Sequence, residues 1–286
     1  MKKLLLTTLI MALPARAELP LSLEGLNPEQ NKFKLSVGLS YYNQNRDSYS
    51  QGRSQYLLTP QNQSIEIPGR LQNGRNNSDI FSTNVGLNYG LNDDTELYGS
   101  VGGYWRSNRY SLDGQRSSSS KGEFSNVSLG VNQVLLRDGY NPLLVGTVET
   151  NLYEKVQGKG RSGRSWYFGA NTYKAIDPVV FSFGGGYRAN FGTTEGVKTG
   201  NYFQLNGGVS FAANDRVSLS SHLRWLGRDP DKFRGEKLGN FETSTSADIG
   251  VGYSFSRDTS VNADVRWNLS GRDDGANVNF TWQHRF

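Results

Sequence analysis

From Lys32 to the C-terminus, apolar and polar residues alternate with a period of two, the mark of strands with one apolar and one polar face. The last segment is the clearest. Val278, Phe280, Trp282, His284 and Phe286 share one face, and Asn277, Asn279, Thr281, Gln283 and Arg285 share the other. Just before it, Val261, Ala263, Val265, Trp267 and Leu269 oppose Asn262, Asp264, Arg266 and Asn268. The same pattern predicts twelve strands, at 32–45, 79–91, 95–107, 123–136, 143–154, 165–174, 179–191, 201–212, 216–226, 241–255, 260–269 and 276–286.

The links between these segments alternate as well. After the even strands they are short: Asn92-Asp93-Asp94, Arg137 to Pro142, Ala175 to Pro178, Asn214-Asp215 and Arg257-Asp258-Thr259. After the odd strands they are mostly longer, led by Arg46 to Ser78, Asn108 to Gly122 and Gly227 to Asn240. An even strand count with short links on one side and long ones on the other predicts an all-β fold. It is a closed antiparallel transmembrane β-barrel with short periplasmic turns and longer extracellular loops. None of the eight prolines falls inside a predicted strand, whereas glycines do, as in Gly184-Gly185-Gly186. Proline would remove a ladder donor; glycine permits curvature and close packing in a closed sheet.

The start of the chain has a different texture. Lys2 and Lys3 precede the apolar run Leu4 to Leu13, and Ala15-Arg16-Ala17 supplies small residues for cleavage. Residues 1–17 therefore read as an export signal, 18–31 as an N-terminal periplasmic or plug segment, and 32–286 as the barrel. Within 18–31, Leu19, Leu21, Leu23 and Leu26 suit docking as a short plug. Taking Lys2, Lys3 and Arg16 from the 31 basic residues leaves 28 against 26 acidic ones, about +2, which is no nucleic-acid footprint. With no cysteine, there is no disulfide, thiolate nucleophile or cysteine-held zinc.

The terminal Phe286, with Phe280, Trp282 and His284 at alternate positions before it, resembles the signal read by the outer-membrane barrel-assembly machinery. That family pattern carries glycine where this chain has Thr281. Over its full mature length the chain resembles the twelve-stranded transporter barrels grouped with phenol-degradation outer-membrane proteins. In size and glycine/aromatic texture it also resembles the barrel of functional-amyloid exporters. These resemblances imply residence in the cell outer membrane, a barrel-assembly partner, and a small solute or an exported polypeptide as cargo.

The alternation assigns Lys34, Arg106, Arg188, Arg224, Arg266 and Arg285, with Glu96, Glu149, Glu242, Asp248 and Asp264, to the lumen. Near-balance of the two signs suggests salt bridging between strands, a charged path for a solute, or both. His222 and Ser220 share the lumen face, opposite Leu219, Leu223 and Trp225. The twelve-stranded outer-membrane phospholipases carry His-x-Ser on the lipid side; here the order is reversed and the face is wrong. No catalytic residue, metal or cofactor is assigned. The predicted outer loops carry about +7, concentrated at Lys155, Lys159, Arg161 and Arg164, which suits neutralising lipopolysaccharide phosphates or drawing anions to the mouth. Three functions follow in order: a channel for a small solute, a secretion pore for an extended polypeptide, and an outer-membrane lipid hydrolase. In the long first loop, Ser64-Ile65-Glu66-Ile67 is expected to form an extra hairpin or to fold inward.

Overall fold

The computed structural model describes residues 28–47, 50–51, 55–59, 63–67, 71–72, 75–112, 115–156, 159–161, 165–191, 196–270 and 275–286. The wall is built from twelve strands: β1 (Phe33–Asp47), β2 (Arg75–Gly90), β3 (Thr95–Leu112), β4 (Gln115–Leu136), β5 (Leu143–Val156), β6 (Ser165–Ile176), β7 (Val179–Asn190), β8 (Tyr202–Ala212), β9 (Val217–Arg228), β10 (Glu242–Ser254), β11 (Thr259–Asn268) and β12 (Ala276–Arg285). Each pairs antiparallel with the next, and β12 pairs with β1, so the sheet closes on itself. Closure leaves no sheet edge along the wall, which is what allows a β-structure to cross a bilayer.

The strands alternate sides as the sequence pattern requires. Val85, Leu87, Phe181, Phe183, Leu223 and Ile249 are among many large apolar residues exposed on the outer surface. Their lumen-facing neighbours are mostly serine, asparagine, glycine, tyrosine and charged residues, many of them buried, with small apolar clusters at Val134, Leu143 and Val180 and at Tyr42, Ile67 and Ile80. So much apolar surface would be a liability in water; here it is the face offered to lipid.

Three of the five short turns share one local mechanism. At Asn92 the side-chain Oδ1 accepts from the Asp94 and Thr95 amides (2.9 and 2.8 Å), and Asn214 does the same for Arg216 and Val217 (2.9 Å each). Ser256 Oγ accepts from Asp258 and Thr259 (3.2 and 3.1 Å). A short polar side chain thus replaces the ladder partner that the reversing backbone lacks.

At the other end the structure departs from expectation. Asn108 to Gly122, expected as a loop, is mostly strand, because β3 runs to Leu112 and β4 starts at Gln115. Period two is hard to read in a run of serines, but Ser117 to Ser120 pair with Asn108 to Tyr110 and Ser107 all the same. The first and fifth loops also hold short strands: Gln55–Leu58 pairs with Ser64–Ile67, and Asp231–Phe233 pairs with Glu236–Leu238.

Because the strands are tilted, residues directly opposite one another do not stay at one height. One row begins at the turn end with Arg285 and Lys34 and continues through Asn88, Tyr98, Gly130, Glu149, Tyr167, Arg188, Tyr202 and Arg228 to Glu242, the first residue of β10 at the loop end. A second row descends from Tyr42 through Asn277, Arg266, Asp248, His222, Gly208, Ser182 and Tyr173 to Leu143. These two rows organise the lumen.

Candidate functional site: the lumen and the hairpin that crosses it

Along the first row, side chains from every second strand reach across their neighbour. Arg188 on β7 donates to Glu149 Oε1 on β5 at 2.7 Å, passing over β6. It also donates to Tyr202 OH (3.1 Å) and Ser165 Oγ (3.2 Å), and lies beside the Tyr167 and Tyr202 rings. Tyr98 OH, from β3, donates to Glu149 Oε2 at 3.2 Å, passing over β4. It can do so because Gly130 stands between: a Cβ there would overlap the Tyr98 ring. Nearer the turns, Lys34 meets Glu96 at 3.1 Å, and Asn88 and Asn132 donate to the same carboxylate at 2.6 and 2.9 Å.

The second row carries a different cluster. Asp248 is approached by His222 Nδ1 at 2.9 Å, Arg266 Nε at 3.4 Å and Arg224 Nη2 at 3.7 Å. Arg266 also lies 3.9 Å from Asp264, which accepts from Asn279 at 2.6 Å. Two guanidinium groups and a ring thus share one central carboxylate. Among the described residues no hydrogen bond joins Ser220 to His222.

The hairpin of the first loop spans the space between opposite walls. Gln63 donates to Tyr98 on β3, while Ser64 Oγ donates to Gln204 on β8 at 3.0 Å. Arg228, at the end of β9, donates to Glu66 at 2.9 Å and to Asp231 at 2.7 Å. Ile67 is fully buried with Tyr42 and Ile80, against Tyr104. Ile65 approaches Gly102 so closely that a side chain there would press on it and on Asn126. The expected hairpin and the expected inward fold occur together.

The predicted lumen residues divide accordingly. Lys34, Glu96, Glu149, Arg188, His222, Arg224, Asp248, Asp264 and Arg266 meet in the clusters above, and Arg106 lies beside the Tyr104 ring. Glu242 ends the first row opposite Arg228. Arg285 pairs instead with Glu29 at the turn-end rim, where Asn31 N–H also donates to Gly90. Of the plug segment, residues 28–31 thus lie at that rim; 18–27 and the export signal lie outside the described residues. Phe280, Trp282, His284 and Phe286 line the outer face of β12, the last three rings in sequence at 5.9 and 4.5 Å. Lys155, Lys159 and Arg161 lie on the β5 extension and its return strand Lys159–Arg161; Arg164 lies outside the described residues.

Gln63, Tyr98, Tyr167, Tyr202, Gln204 and Arg228 were not singled out by the sequence, and Glu66 was named only as part of the hairpin segment. The tyrosines did leave a signal, since each is an aromatic residue on the polar face of its strand. Gln63 left none, because loop composition does not say which wall a loop meets.

An apolar outer face, a closed wall and a polar, charge-bearing interior define a transmembrane β-barrel of the outer-membrane type. No protein-family model and no curated protein matches the chain. Solved structures do. An outer membrane channel from Pseudomonas putida F1 is 13% identical with a TM-score of 0.58, over 88% of this chain and 95% of that one. The monoaromatic hydrocarbon channel CymD is 9% identical (TM-score 0.49, 90% and 88%). The P. putida toluene transporter TodX is 10% identical (TM-score 0.45, 94% and 93%). The first of these shares the barrel fold.

Proposed function

We propose that this protein is a channel that passes a small solute across the outer membrane. The observation that carries this is the polar lumen: charged side chains line both register rows, in clusters that the wall strands build on their inner face. A structural barrel would gain more by packing its interior with apolar groups, because a buried ion pair adds little net stability over a hydrophobic replacement. The likeness in fold to an outer membrane channel supports the same function. The export signal at 1–17 delivers the chain, the aromatic series ending at Phe286 is read by the barrel-assembly machinery, and the basic loop around Lys155 to Arg164 faces lipopolysaccharide. Purified protein in a planar bilayer will show discrete conductance steps. Heat-modifiable, fully folded protein without any conductance overturns the channel function.

A further inference from the structure

The hairpin and the wall behind it enclose a cavity of about 50 Å³, lined by Ser64 and Glu66 from the hairpin and by Glu149, Asn151, Glu154 and Arg188 from the wall. At roughly 10–15 Å³ for each water-sized group, it holds only a few such groups. Its chemistry is one-sided. Asn151 is buried, and its amide is oriented by two bonds, Nδ2 donating to Glu154 Oε2 at 2.5 Å and to Ser165 Oγ at 3.0 Å. The carbonyl Oδ1 is therefore the atom left over, and it has no hydrogen-bond partner among the described residues. A buried acceptor in that state wants a donor.

The charges agree with the carbonyl. Glu66, Glu149 and Glu154 line the cavity and Asp231 stands behind Arg228, so the described side chains set four carboxylates against Arg188 and Arg228. The Arg188 donors are directed to Glu149, Tyr202 and Ser165. An entering group that donates hydrogen bonds thus meets acceptors, and the lining carboxylates Glu66, Glu149 and Glu154 favour one that carries a positive charge.

We propose that this cavity binds the protonated amine end of the transported solute, an assignment that rests on the channel function above and narrows its substrate class. The ammonium group donates to Asn151 Oδ1 and to the Glu154 and Glu149 carboxylates, and the rest of the solute extends into the lumen.

The test is calorimetric titration of the full-length barrel in detergent with methylammonium chloride, with potassium chloride and sodium acetate in parallel. Methylammonium will bind, acetate will not, and potassium will compete only weakly. Asn151→Leu keeps the side-chain volume but removes the acceptor, and should weaken methylammonium about tenfold, as should Glu154→Gln by removing a charge-assisted bond. Heat-modifiable gel mobility verifies that both variants are folded. Unchanged affinity in both folded variants, or potassium binding as tightly as methylammonium, overturns the assignment. Conductance is recorded separately on the same preparations. Conduction without amine binding defeats this proposal alone, and amine binding without conduction defeats the channel function alone.

Discussion

The two charge clusters of the lumen use similar residues with different degrees of cover. In the upper one, roofed by the hairpin, the Arg188 and Glu149 side chains are 8% and 1% exposed. In the lower one the Asp248 side chain is also buried, at 5%, but its partners are less sealed, Arg266 at 11%, Arg224 at 13% and His222 at 28%. The wall supplies both clusters in the same way, from directly paired residues on adjacent or alternate strands. What differs is the loop. Under it, both charges of the pair are sealed and depend on each other; away from it, a buried carboxylate is shared by three partners, one of which, His222, reaches the lumen.

The largest effect should come from breaking the sealed pair. Glu149→Gln leaves the Arg188 guanidinium buried without its counter-charge, at a cost of about 3–5 kcal/mol. Combining Arg188→Met with Glu149→Leu should return most of that. Urea titration of the refolded barrel in lipid vesicles, followed by tryptophan fluorescence, measures both. If Glu149→Gln and Asp248→Asn destabilise equally, the contrast between the two clusters is lost.

A smaller effect should follow from loosening the roof. Ile67→Ala removes the buried anchor of the hairpin and should weaken its seating by about 2–5 kcal/mol. Global stability of the barrel should change little, because the wall ladders remain intact. Single-channel traces should show larger and noisier openings than the parent protein. A quiet channel of unchanged conductance would mean that the hairpin is held by Gln63, Ser64 and Glu66 alone.

Asp248→Asn should cost less stability than Glu149→Gln, about 1–3 kcal/mol, because the carboxamide keeps an acceptor and one of the three partners, His222, reaches the lumen. Its effect on permeation should be clear. Removing the shared carboxylate leaves Arg224 and Arg266 unbalanced, so reversal potentials in a salt gradient should move toward anion selectivity, most strongly at low ionic strength. A shift toward cations would show that Asp248 does not set the field in the open lumen.

Much of this was legible from residue order. Alternation places side chains on one face or the other because successive residues on a strand point to opposite sides. That is why the strand assignments held. It failed at Asn108 to Gly122, where a serine run offers no apolar partner to mark a face.

Alternation says which side a residue faces, but not how high it sits or whom it meets. Lys34 and Glu242 belong to one register row although they lie at opposite ends of the barrel, because strand tilt carries each ladder step along the axis. Arg188 reaches Glu149 only because two strands of register and an intervening tyrosine place them so. The sequence by itself determined the barrel, its even strand number, its turn side and its polar interior, all consequences of local periodicity. Only the tertiary structure decided that the first loop turns inward, that it roofs the Arg188–Glu149 cluster, and that Asn151 is left with a carbonyl to satisfy. Those outcomes depend on contacts between Gln63 and Tyr98, Ser64 and Gln204, and Glu66 and Arg228, residues 35 to 162 positions apart, which no local pattern encodes.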